Sequence, residues 1–162
     1  MTPIGVVRAT VAFVILVLLN FTIRPLLGWR AEIDFLLIAV LLAAVRVRPG
    51  SAAIMGFAVG LLSDSLTPNA FGAGALAMSG VAFAASWLKA VFFADNLALN
   101  GFFFFAGRWA YAIIYVLAEH QRTGVELAQE MFIWAPLSGA VTAAAGVILL
   151  VLMRPLLESA GA

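Results

Sequence analysis

The sequence predicts an all-α integral membrane protein, one bundle of about six transmembrane helices that takes in residues 1–162 as a single domain. Three observations carry this. Of the 162 residues, 65% are hydrophobic and 10% charged, against about 45–50% and about 25% in soluble domains. The mean hydropathy is +1.12, and a chain of this kind cannot cover itself with polar surface, so lipid is its expected solvent. The apolar runs approach the roughly 20 residues that cross a bilayer, and most are closed by Pro or Arg. The net charge of +1, with no basic stripe, excludes nucleic acid as a partner. The absence of Cys excludes disulfides, thiolate metal sites and Cys nucleophiles.

The first span is expected over Val6 to Ile23, stopped by Arg24-Pro25. Arg8 and the run after it imitate a signal peptide, but no small-x-small cleavage site follows, so it reads as a retained helix. The second span is Ile33 to Val45, ended by Arg46, Arg48 and Pro49. The third is Ser51 to Leu66, stopped by Thr67-Pro68-Asn69. The fourth runs from Ala75 to Phe93, with Lys89 in its last turns. The fifth is Gly101 to Ala118 and carries Arg108. The sixth begins near Trp134-Ala135-Pro136 and ends at Met153, before Arg154-Pro155. Pro in a first helical turn loses no hydrogen bond, and Pro past the end blocks continuation. The polar connection Glu119 to Met131 has room for a short interfacial helix, with Val125, Leu127 and Phe132 at the headgroups.

Six spans place both termini on one side. The Arg46/Arg48 pair in a very short loop, with Arg8, Lys89 and Arg154, makes that side the cytoplasm. Arg24, Arg30 and Arg122 then face out. Trp29, Trp87, Trp109 and Trp134 serve as loose interface anchors. Of the four consecutive rings Phe102 to Phe105, at least two must face lipid or a partner.

Ionisable groups inside spans cost about 2.5–3.5 kcal/mol each at mid-bilayer. Lys89 escapes this by snorkelling to the interface. Arg108 lies roughly 10 Å deep if its helix starts at Gly101, and roughly 16 Å deep if it starts near Leu97. Asp34 and Asp64 reach similar depths, roughly 16–20 Å from the inner face. Two arrangements fit. Arg108 pairs with Asp34 or Asp64, or it snorkels inward while both aspartates cap helix ends near the outer interface. A proton or ion relay through the two acids fits less well, because the lone His120 lies in a loop.

Catalysis fails on inventory. Ser63 and Ser65 flank Asp64, but no His lies within a span to act as base, and no G-x-S-x-G elbow is present. No H-E-x-x-H pair occurs, one His cannot build a His-rich zinc site, and no Gly-rich loop carries a phosphate-binding Lys. No enzyme activity and no cofactor are expected. Two smooth stripes stand out: Ala52, Gly56 and Gly60 on the third span, and Gly139, Ala143 and Gly146 on the sixth. Such stripes let helix backbones approach closely, within the bundle or as a groove for another protein's helix.

One run of motifs points to a family. Ile33-Asp34-Phe35-Leu36-Leu37 is followed by Arg46-x-Arg48-Pro49-Gly50. Then come Gly56-Phe57-x-x-Gly60-Leu61-x-x-Asp64 and Phe71-Gly72-x-x-Ala75-Leu76. In order and spacing this resembles the MreD family of bacterial rod shape-determining proteins. The motifs cover Ile33 to Leu76; the rest is similar in length and hydropathy only. The family usually has Pro before the first acid, where this chain has Ile33.

The resemblance implies a non-catalytic scaffold of the cell-elongation machinery in the bacterial inner membrane. The partners it implies are MreC, which is bitopic with a large periplasmic domain, the actin-like MreB filament, the RodA glycosyltransferase and its penicillin-binding transpeptidase. It also implies a fold resembling the six-helix substrate-binding subunits of energy-coupling-factor vitamin transporters, and such a subunit is the alternative reading. Structural and interaction candidates are Asp34, Arg46, Arg48, Gly56, Gly60, Asp64, Gly72 and Arg108, with the Arg46–Gly50 turn as a cytoplasmic contact or a pure topology signal.

Overall fold

In the computed structural model the chain is helical throughout the residues described, which are 33–66, 71–89, 96–119 and 124–158, with side chains to 151. Val11, Val14, Ile15 and Leu18 are also helical and exposed. The rest of the expected first span lies outside the described residues.

Helix α1 (Phe35–Ala44) is the axis of the bundle. Eight of its ten residues are buried, on every side, which is why the segment reads as a continuous apolar run rather than an amphipathic one. It touches α2 (Pro49–Leu66), α3 (Ala73–Trp87), α4 (Leu97–Glu119) and α6 (Ala135–Glu158). At about 1.5 Å per residue it is roughly 15 Å long, half a hydrocarbon core.

Pro49 opens α2, where its missing N–H is no loss. The buried residues of α2 are Ala52, Gly56, Gly60 and Asp64, one residue per turn along a single line. That line lies against α3, the most extensive helix contact in the chain. A Cβ on Gly56 would stand 2.5 Å from the Met78 carbonyl oxygen, and one on Gly60 would stand 2.6 Å from Ala75 Cα. The smooth stripe of α2 is therefore an intramolecular seam.

Helix α3 closes at Trp87, earlier than the expected Phe93, with the Leu88 N–H bonded to the Ala84 carbonyl. Lys89 stands exposed just past this end, and residues 90–93 of the expected span lie outside the described residues. Helix α4 begins at Leu97 because Asn96 caps it: its side chain accepts from the Ala98 N–H at 2.9 Å. Arg108 thus lies eleven residues beyond the first residue of its helix. Phe103 and Phe104 are buried, whereas Phe102 is 65% exposed and Phe105 partly so.

The last helix differs most from expectation. A short helix does occupy the connection, and it is continuous with the last one. Helix α5 (Val125–Gln129) runs through a wide π-helical turn (Glu130–Trp134) into α6. The π-turn displaces carbonyls from the usual ladder, and the Trp109 indole N–H donates to one of them, Met131 O, at 3.3 Å. Helix α6 packs on α4 with Gly139 against Phe105 and Gly146 against Phe104, where a Cβ would meet ring carbons at 3.1 and 2.7 Å. This second smooth stripe is also internal.

Among the described residues, two helices are long and apolar enough to cross a membrane: Leu97–Glu119 and the 27-residue stretch Val125–Val151. Helices α1 and α3 are apolar but shorter.

Candidate functional site

The acid that closes the buried line of α2 does not meet a cation. Asp64 is 4% exposed, and its Oδ2 accepts from the Gly72 N–H at 2.9 Å and the Ala75 N–H at 3.0 Å. It caps the start of α3 from the neighbouring helix. Gly72 makes this possible: its φ of +97° lies in the left-handed region, where a side chain is strained. Gly74 is required for a different reason, since a Cβ there would collide with Asp64 Oδ1. The first four N–H groups of a helix lack intrahelical partners and carry partial positive charge, so a carboxylate is well placed among them. Gly56, Gly60, Asp64 and Gly72 form one unit, a tight α2–α3 hairpin.

Asp34 plays the same part for α1. Its Oδ1 accepts from the Leu37 N–H at 2.9 Å, while its own N–H donates to Thr142 Oγ1 on α6 at 3.4 Å. The cap thus forms with Ile33 directly before it. Both aspartates are helix caps, the second of the two arrangements open at the sequence level. Asp64 is buried against α3, and Asp34 bonds to a residue two turns into α6.

The expected Arg108 ion pair with Asp34 or Asp64 is not formed. Each aspartate instead gives an oxygen to backbone amides, Asp64 Oδ2 to two and Asp34 Oδ1 to one. Arg108 lies over the Tyr111 ring, with its guanidinium carbon 5.4 Å from the centroid. Its buried Nε has no hydrogen-bond partner. Tyr111 in turn stacks on Tyr115, centroids 5.8 Å apart at 27°. The phenol of Tyr111 is within electrostatic range of Asp34, Arg108, Tyr115 and Asp64. Arg108, Tyr111 and Tyr115 thus form a polar and aromatic run along α4.

Compared with family models, with curated proteins and with solved structures, the chain matches none.

Sequence reasoning found Asp34, Asp64 and Arg108 but missed Tyr111, Tyr115 and Thr142. The spacing of Arg108, Tyr111 and Tyr115, three and then four residues apart, was the available signal, since it puts them on one helix face. Thr142 offered none, being one of many small residues in α6. Arg46 and Arg48 lie apart from this cluster, exposed in the turn from α1 to α2. Among the described residues no three His, Asp or Glu side chains converge as metal ligands would.

Proposed function

We propose that the chain is a multi-pass protein of the bacterial inner membrane that works as a non-catalytic scaffold, as its resemblance to the MreD family implies. The observation that carries this is the use of the motif residues. Gly56, Gly60, Asp64 and Gly72 are the residues of the resemblance, and all of them build one helix hairpin. The outside suits the role too. Ile54, Phe57, Leu62, Phe71, Phe83, Trp87, Phe102, Phe132 and Ile148 are all more than 40% exposed, a surface that water would not tolerate and that lipid or partner helices would cover.

In this reading the partners are a MreC-like bitopic protein and, through it, the MreB filament, RodA and its transpeptidase. Six spans with cytoplasmic termini remain part of the proposal. A second reading, the substrate-binding subunit of an energy-coupling-factor transporter, is favoured by one observation: the Arg108, Tyr111, Tyr115, Asp34 and Thr142 cluster supplies polar groups inside the bundle. Purification of the tagged protein from its native membranes separates the two. Co-isolation of a MreC-type bitopic protein supports the scaffold. An ATPase pair or a bound vitamin would sink it.

A further inference from the structure

We propose that Arg46, Arg48 and Lys89 form a rim that binds the phosphate groups of anionic lipid at one face of the membrane. The proposal rests on the membrane reading above but not on the family. All three side chains are exposed. Arg46 and Arg48 lie in the turn between α1 and α2, and Val47 between them is fixed: its carbonyl accepts from the Ser86 hydroxyl at 2.7 Å. Ser86 is 1% exposed, in the last turn of α3. Lys89 follows it by three residues, one helical turn. The Ser86–Val47 bond therefore holds two guanidinium stems beside the ammonium stem.

The surroundings favour lipid over a soluble anion. Trp87 and Leu88 directly precede Lys89 and are 71% and 54% exposed. Cations at the edge of an apolar belt with a Trp beside them match the headgroup layer. The described acidic side chains do not compensate them. Asp34 and Asp64 are at the far ends of α1 and α2, Glu119 is at the far end of α4, and Glu126 and Glu130 precede α6. Helix-dipole complementation would also place Arg46 and Lys89 past the ends of α1 and α3, but it would not respond to the charge of the lipid.

The test uses the full chain in nanodiscs of phosphatidylcholine, with and without phosphatidylglycerol, and native mass spectrometry to count retained lipid. The native protein should retain phosphatidylglycerol preferentially. At about 1 kcal/mol per cation near the surface, each single Gln substitution should weaken retention roughly fivefold, and R46Q/R48Q/K89Q about a hundredfold. The charge-preserving R46K/R48K should hold the lipid. Equal retention of the two lipids by the native protein, or undiminished retention by the triple variant, overturns the proposal. Displacement of the lipid by inorganic phosphate overturns the lipid assignment in favour of a free-anion site. Carbonate extraction of native membranes tests the membrane reading separately. Release of the protein there defeats both readings, whereas integrated protein that ignores lipid charge defeats only the rim.

Discussion

Removing the Asp64 carboxylate tests the hairpin at its junction. Two amides, the partly buried Gly72 and the buried Ala75, share one oxygen at 2.9 and 3.0 Å. Asp64→Ala leaves both without an acceptor. At about 1–3 kcal/mol for each orphaned buried group, the expected loss is about 3 kcal/mol. Asp64→Asn can place its amide oxygen where Oδ2 stood and keep both bonds. It loses only the charge and should cost about 1 kcal/mol. Unfolding by sodium dodecyl sulfate in mixed micelles, followed by Trp fluorescence, reads the difference. Equal losses for the two variants, or a loss well under 1 kcal/mol for Ala, would refute the capping argument.

The same geometry supplies a coupled control. Gly74→Ala drives its new Cβ into Asp64 Oδ1 and should destabilise the native chain. In the Asp64→Ala background the collision is gone, and Ala in a helix is favoured over Gly by about 0.5–1 kcal/mol. The effect of Gly74→Ala should therefore change sign between the two backgrounds. Simple additivity would mean that the two residues do not touch in the way described.

Three further outcomes follow from the packing. Gly60→Ala should cost about 1–3 kcal/mol in the same titration, because the Ala75 backbone 2.6 Å from the new Cβ cannot yield. Thr142→Val conserves shape but removes the acceptor of the Asp34 N–H, and should lose about 1 kcal/mol. Arg108→Met should be neutral or stabilising, because the guanidinium has a ring beneath it and no carboxylate partner among the described residues; a loss above 3 kcal/mol would show that a pair had been broken.

How far the chain is legible from its sequence depends on which force sets each feature. Helix bodies are set by apolar runs, and α1 and α2 fall within two residues of expectation because Pro49 and the Arg pair punctuate them. The ends that missed expectation depend on single side chains. Asn96 starts α4 four residues before Gly101, a cap that a hydropathy reading passes over. The continuation of α6 back to Val125 depends on a π-turn whose displaced carbonyl is met by Trp109, twenty-two residues earlier in the chain. Such a contact has no local signature. The site divides in the same way. The Gly56/Gly60 line declares itself by spacing, whereas the partner of Asp64 is backbone and carries no side-chain identity to search for.

The fate of the two aspartates changes how a buried acid in an apolar chain should be read. An acid at this depth is ordinarily taken as a proton site or half of an ion pair, because its charge is costly in hydrocarbon. A helix that begins inside a bundle poses an equal problem of the opposite sign: up to four N–H groups with neither water nor carbonyl to meet them. One carboxylate answers both costs at once. That is why α1 can start half a bilayer from its own C-terminal turn, and why α3 can start directly against Asp64. Arg108 has no such solution. Its five donors need acceptors, the nearest aspartates are engaged by amides, and a ring face meets only part of its charge. The fold accounts for the acids by geometry alone and leaves the cation unaccounted for. Among the described charges of the interior, Arg108 is therefore the one that the packing of this chain does not explain.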